Sequence, residues 1–503
     1  MAIRNSALKD FLKPLGTNSP LLHQLVKDFC ITFRELAADS HDQFLPTPVF
    51  ESTLRPCQSR DEGVYLAIDI GGSNLRVAFV ELFPAVEEQG PKLTNGGPES
   101  TRPHLRRLHE KAWPIEEHLK NEQADQLFGW IGTCITQVVR IGKQDPSLEL
   151  PSEIPMGVTF SFPMVQDCLS HATLMSMGKG FAITSDLDLG YHLVNGYEIN
   201  RGSLPPIRIT AILNDSVATM ASFMYQNPET DISKPAMGLI LGTGCNATIP
   251  MKLSSLHESK RKVKPPPGYS SSGDAKIAIN TEWSIKGSVG PMKKLGLITR
   301  WDKDLDDASE LPGFQPFEYM TAGRYLGELC RLIFVEYLTD IRGFKRDTLP
   351  QKIKTRFGIS TTFLSYFRPN HAGEAGHLRG SLEDEFGRVF PWTEEIALDL
   401  YEIAVAVEHR AAFLVAAAIV GLLQSAGYIP PPKSEVPAKN ILVGYTGGCI
   451  TKFQMYLVDT RRFIDQALEL EYGAEPPVRI ALLPCHDGGI EGAGILAGVS
   501  KGY

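Results

Sequence analysis

Two carboxylates stand where chemistry rather than packing would place them. In "VYLAIDIGGSNLRVAFVEL", Val64 to Leu82, Asp69 lies inside an apolar run that leads into Gly71-Gly72-Ser73-Asn74. A lone carboxylate in such a run costs free energy unless it is paired or coordinated. The flanking runs predict a hairpin closed by a tight turn, and a glycine turn can aim successive backbone N–H groups at an anion such as a phosphate. Asp69 beside that turn can hold Mg2+ directly or through water; the alternative is that it caps the turn through its own backbone. In "ITAILNDSVATMASFMY" an apolar strand ends at Asn214-Asp215 and a helix-like run follows. A carboxylate fixed at that junction can accept a hydroxyl proton; the alternative is a helix N-cap supplied by either residue. A cradle for phosphate, a cation ligand and a proton acceptor are the parts that phosphoryl transfer needs.

Further polar residues punctuate apolar segments: Ser161 in "TFSFP", Lys179 in "MGKGF", Asn246 in "GTGCNA", Glu282 in "INTEW" and Glu318 in "PFEYM". Together they can supply the convergent donors and acceptors by which a polyhydroxyl ligand such as a sugar is recognised.

The elements that must position these groups follow from periodicity. Residues 6 to 40 read as helical, with "FLPTPVF" ending that helix, and the segment "EKAWPIEEHLKNEQADQLFGWIGTCITQVVRIG" reads as helix again. "IPMGVTFSFPM" reads as a strand with a proline-marked turn, Phe317 to Ser425 as mostly helical, and "NILVGYT" and "VRIALLPC" as strands. "FPAVEEQGPKLTNGGPESTRPHL" and the basic "HESKRKVKPPPGYSSSGD" read as loops. The alternation predicts α/β layers. Three stretches, "LAIDIGGSNLRVAF", "GLILGTGCNATIPM" and "ILVGYTGGCITKF", each place a Gly/Ser/Thr-rich turn after an apolar strand. There is no GxxxxGK[ST] P-loop and no dinucleotide GxGxxG after a strand.

The chain of 503 residues is long enough for two lobes. With 43% apolar and 21% charged residues it has the composition of a globular protein, and a net charge of −8 leaves no basic footprint for nucleic acid. The eight cysteines show no metal spacing and read as buried free thiols. No apolar leader and no window of membrane-spanning length is expected, so a cytoplasmic protein, monomer or homodimer, is expected.

These motifs resemble those of the hexokinase family. "IDIGGSNLRV", "TFSFP", "ILNDSVAT", "LGTGCNA", "INTEW" and "FEYMTAGRYLGEL" fall in the family's order and approximate spacing, and the likeness runs to "GGIEGAGILAGVS". The resemblance implies the two-lobed, actin-like ATPase fold, with a small lobe of 64–213 plus 487–503 and a large lobe of 1–63 plus 214–486. It implies ATP and Mg2+ as cofactors and a hexose as acceptor. It places Asp215 as the catalytic base, with Lys179 on the moving lobe, and Ser161, Lys179, Asn214, Asp215, Asn246, Glu282 and Glu318 around the sugar. Asp69, Gly71, Gly72, Ser73, Asn74, Arg76, Thr243 and Gly244 would hold phosphates and Mg2+, with Asp69 as the metal ligand. Thr361, Ser365, Gly447 and Gly448 resemble the nucleotide side.

The chain also departs from the family. Met177-Gly178-Lys179-Gly180-Phe181 replaces Trp-Thr-Lys-Gly-Phe, Ser284 followed by Ile285-Lys286 replaces a small Gly after "NTEW", Thr446 replaces an Asp, and Ile490 and Glu491 replace a small residue and usually a base. "INTEWSIKGS" and "GFQPFEYMTAGRYLGEL" look like the fungal branch that phosphorylates N-acetylglucosamine. The expected function is therefore ATP-dependent phosphorylation of a hexose 6-hydroxyl, with N-acetylglucosamine as the favoured sugar; a glucose-type enzyme and a catalytically silent, hexokinase-shaped regulator are the alternatives.

Overall fold

The computed structural model describes residues 2–54, 61–72, 74–84, 105–120, 124–162, 164–174, 187–261, 263, 275–369, 376–431 and 439–500. Lys179, Ser73, the Met177-Gly178 departure and most of both Pro/Gly-rich loops lie outside them.

The strands are β1 (Leu45–Phe50), β2 (Gly63–Ile70), β3 (Asn74–Leu82), β4 (Leu105–Pro114), β5 (Ile154–Phe160), β6 (Met164–Cys168), β7 (His171–Leu174), β8 (Ile207–Leu213), β9 (Ser233–Leu241), β10 (Cys245–Lys252), β11 (Lys276–Asn280), β12 (Asn440–Thr446) and β13 (Ile480–Pro484). Among the described residues they form a five-stranded sheet in the order β4-β3-β2-β5-β8, a six-stranded sheet in the order β1-β11-β10-β9-β12-β13, and a β6-β7 pair. The two large sheets repeat one plan. In each, an antiparallel hairpin (β2-β3 or β9-β10) extends to a further antiparallel strand on one side, while its first strand pairs in parallel with a later one on the other. This is the two-lobed α/β architecture expected from the motifs.

The local reasons are legible. β5 is buried at every position and lies between two parallel partners, as its unbroken apolar run demands. The expected hairpin at Val64 to Leu82 is present, with Ile70 opposite Leu75 and Asp69 opposite Arg76. Helices Asp215–Gln226 and Gly488–Val499 pack on each other; the first also lies against β9 and the second against β2 and β5, so they bridge the two sheets.

Four expectations need correction. "FLPTPVF" does not merely end a helix: it supplies β1, whose Pro46 and Pro48 are tolerated because β1 is an edge strand with one partner. "EKAWP" is the end of β4 rather than helix, and the helix resumes at Glu117 and Ala124. The region 6–40 is two helices, Ala2–Phe11 and Ser19–Asp39, separated by a short turn around Pro14. Helix Glu394–Ser425 is also long and apolar enough to cross a membrane, contrary to the expectation of no such window. Most of its apolar stretch is buried, and it packs against helices Ser19–Asp39 and Tyr456–Tyr472 as the spine of the largest core cluster.

Candidate active site

The sugar-side candidates converge at the C-terminal end of β8, the start of β10 and the end of β11. Asn214 is the N-cap of helix Asp215–Gln226, its side chain accepting from the Ser216 N–H at 2.9 Å, while Asp215 Oδ1 accepts from the same N–H at 2.8 Å. The capping alternative therefore holds for Asn214, and it is compatible with a chemical role for Asp215, because the cap is what fixes the carboxylate at the helix start. Ser216 Oγ donates to Asn214 Oδ1 at 2.8 Å and lies 2.7 Å from Thr248 Oγ1, which pins this helix start to β10.

Asn246, Asn280 and Glu282 form a continuous polar chain. Asn246 Nδ2 donates to Asn280 Oδ1 at 2.9 Å and Asn280 Nδ2 donates to Glu282 Oε1 at 2.8 Å. Glu282 has a left-handed backbone, with φ at 45°, a conformation that non-glycine residues adopt only when surroundings enforce it. Gln43, buried at the start of β1, does so by donating to the Glu282 carbonyl at 2.8 Å. Glu318 Oε2 accepts from the Cys245 N–H at 3.1 Å, and the adjacent Gly244 leaves room for it. Ser161 is tied by its backbone N–H to the Ile70 carbonyl at 3.1 Å, next to the glycine turn.

On the phosphate side, the turn closes through the Gly71 N–H to the Asn74 carbonyl at 2.9 Å. Asp69 is half-buried, and its carboxyl is pushed up to about 7 by burial and then by the negative charge of Asp215, against the opposing pull of Arg76. A Cβ on Gly489 would lie 2.6 Å from Asp69 Oδ2, so helix Gly488–Val499 begins in contact with this carboxylate. Arg76 is ion-paired to Glu110 at 2.5 Å and to Asp487 at 2.7 Å, and these bonds outweigh the effect of burial and raise its pKa.

The Thr243-Gly244 turn and the Gly447-Gly448 turn are neighbours. Gly447 has φ at +125°, and a Cβ there would lie 2.3 Å from the Leu241 carbonyl oxygen, so only glycine fits. Thr446 ends β12 one residue earlier. Thr361 and Ser365 are buried on helix Thr361–Tyr366: the Gly327 N–H donates to Thr361 Oγ1 at 2.7 Å and Ser365 Oγ donates to the Thr361 carbonyl at 2.8 Å. Both hydroxyls thus have internal partners, and a nucleotide contact at either has to share these bonds.

The structure therefore brings together Asn214, Asp215, Asn246 and Glu282, sets Glu318 one residue from Asn246 through Cys245, and couples Asp69 to Asp215 electrostatically. Sequence reasoning missed Asn280, the central member of the amide chain, although its signal was present as a polar residue ending the apolar run "KIAI". It also missed Asp487 and Glu110, which pair with Arg76, and Arg107, which pairs with both of them; none has a local signal.

A family model described as Hexokinase matches residues 236–499, and a second of the same description matches residues 7–225. Human Hexokinase-3 is 32% identical over 366 residues, which are 72% of this chain and 34% of that protein; the rat protein covers the same shares, so the chain spans about a third of these relatives. The hexokinase of Schistosoma mansoni is 31% identical over 368 residues, 72% of this chain and 71% of that one. A solved structure, "hexokinase from Schistosoma mansoni complexed with glucose", superposes with a TM-score of 0.74 at 25% identity, covering 98% of each chain. The match to the family models over nearly the whole length, with the motif residues gathered as described, shows that this chain belongs to the hexokinase family.

Proposed function

We propose that this chain transfers the γ-phosphoryl group of ATP to the 6-hydroxyl of a hexose. The observation that carries the reading is Asp215: its carboxylate accepts from the Ser216 N–H at a helix start capped by Asn214, beside an amide and carboxylate chain suited to sugar hydroxyls, and within electrostatic reach of Asp69 at the glycine turn. Asp215 takes the proton of the attacking hydroxyl, while Asn214, Asn246, Glu282, Glu318, Ser161 and Lys179 of the moving lobe orient the ring. The residues fit Mg2+: burial, and then the negative charge of Asp215, push Asp69 up to about 7, and a divalent cation there would offset both. When bound, the ion neutralises charge on the β- and γ-phosphates. The glycine turn and Arg76 face the phosphates, and closure keeps water from competing with the sugar.

The sugar we propose is N-acetylglucosamine. Its support is the likeness of "INTEWSIKGS" to the fungal branch and the loss of a Trp-Thr pair at Met177-Gly178; the wall near Glu282 also differs, with Ser284 in place of a small Gly and buried. The lobe boundaries we propose, 64–213 plus 487–503 and 1–63 plus 214–486, are supported by the derivation of all five strands of one sheet from residues 63–213. Among the described residues six free thiols are buried, which suits a reducing cytoplasm, while Cys168 is exposed, contrary to the expectation of buried thiols. A silent regulator is the second reading, favoured by Thr446 and Glu491 on the nucleotide side.

The test is a coupled ADP-release assay with MgATP and glucose, mannose, glucosamine or N-acetylglucosamine. Preference for N-acetylglucosamine supports the full reading; preference for glucose leaves the kinase and refutes the sugar. No turnover by folded protein that still binds a hexose supports the regulator.

A further inference from the structure

We propose that Glu491 is a positioning residue for the phosphate end of the site, acting through Arg107 and Asp487 on Arg76; the inference rests on the kinase reading above. Asp487 and Glu491 stand one helical turn apart at the start of helix Gly488–Val499, where the Glu491 N–H donates to the Asp487 carbonyl at 3.1 Å. Arg107 of β4 spans them, 2.7 Å from Asp487 Oδ2 and 3.5 Å from Glu491 Oε1, and also reaches Glu110 at 2.9 Å. Asp487 gives its other oxygen to Arg76 at 2.7 Å. One carboxylate thus bridges two guanidiniums, and Arg107 is held between three acids.

The opposite side of Glu491 anchors this set to the helix that starts at Asp215. Glu491 Oε2 accepts from Ser222 Oγ at 3.1 Å and from Gln226 Nε2 at 2.8 Å, both on that helix. The carboxylate is buried and bonded to Ser222, Gln226 and Arg107, which together partly offset its burial and the opposing charge of Asp487. The Asp487-Gly488-Gly489 turn touches both phosphate-side groups, Arg76 through the Asp487 carboxylate and Asp69 through the missing side chain of Gly489. Asp487 is itself left-handed, with φ at 57°. A shift of Arg107 therefore passes to Asp487, and from there to the guanidinium that faces the phosphates.

Glu491→Gln keeps the shape and the Ser222 and Gln226 partners but removes the charge from Arg107. Calorimetric binding of MgATP and steady-state kinetics should show MgATP affinity weakened about three- to tenfold with the hexose KM held within about twofold. The Glu491→Gln/Arg107→Gln double variant should be no weaker than the worse single variant, because both break one linkage. Unchanged MgATP binding in Glu491→Gln, even with a lowered melting temperature, overturns the proposal, as does a double variant whose loss is the product of the two single losses. Should Glu491→Gln fail to fold, Arg107→Gln, with its side chain 30% exposed, carries the same binding test. Weakened MgATP binding in a protein that turns over no hexose upholds this inference while refuting the kinase reading; wild-type protein that binds no MgATP refutes both.

Discussion

Asn280→Asp is the sharpest probe of the amide chain, because it changes one atom's chemistry and almost none of its volume. In the native protein Asn280 Nδ2 donates to Glu282 Oε1 at 2.8 Å and Asn280 is 5% exposed. Aspartate puts an oxygen where the donor was. Two ionised carboxylates at that separation repel by about 6 kcal/mol at an effective dielectric of about 20. Placing a proton on an ordinary carboxyl at pH 7 costs only about 4 kcal/mol, so protonation wins and the pair shares one proton. The shared proton raises the pair's folded pKa above its unfolded value near 4. The variant is then penalised only above that unfolded value, by about 1.4 kcal/mol per pH unit, or about 1 kcal/mol at pH 5 and about 4 kcal/mol at pH 7. The assay is the difference in melting temperature between wild type and Asn280→Asp at pH 5, 6 and 7, supplemented by hexose affinity at the same values. The gap should widen as pH rises. An equal gap at pH 5 and pH 7 would show that residue 280 does not face Glu282, and the reasoning would fail.

Asp215→Asn should lower phosphoryl transfer by about a hundredfold or more while leaving the helix cap at Asn214 and the melting temperature intact, as checked by ADP release and thermal denaturation. Gly489→Ala places a methyl 2.6 Å from Asp69 Oδ2 and should displace that carboxylate, raising the Mg2+ concentration needed for half-maximal rate; an unaltered Mg2+ titration would refute the contact. Gly157→Ala puts Cβ 1.9 Å from the Ala493 carbonyl oxygen, backbone against backbone, and should destabilise by about 1–3 kcal/mol, read as a lower melting temperature. Glu408 is buried, its Oε1 without a hydrogen-bond partner among the described residues, and burial followed by the charge of Asp459 pushes its carboxyl up to about 8. A carboxyl raised in the folded state destabilises as pH climbs from its ordinary value toward that raised one. Glu408→Gln should therefore be more stable than wild type at pH 8 and equal to it near pH 4.5, by thermal denaturation at both.

Much of this protein is legible in its sequence because the signal is local. The β2-β3 and β9-β10 hairpins follow from apolar runs separated by glycine turns, and the Asn214-Asp215 junction follows from a strand that stops where a capping residue begins. Each of these is decided by residues within one turn of one another, where propensity and hydrogen-bond competition act directly. What escaped the sequence is decided by partners far away along the chain. β1 is a strand despite two prolines only because the fold places it at a sheet edge. Glu282 keeps its left-handed backbone through Gln43, 239 residues distant, and Arg76 meets Asp487 across 411 residues. Asn280 gained its place in the site when β11 paired with β10 and set it opposite Thr248. The unusual proton affinity of Asp69 required Asp215 and the buried start of the last helix to be brought beside it. Local chemistry thus chose the residues and the turns that carry them, whereas the field and the hydrogen bonds around each carboxylate arose only when two sheets and the helices between them closed together, because electrostatic and hydrogen-bond energies depend on distance in space and not along the chain.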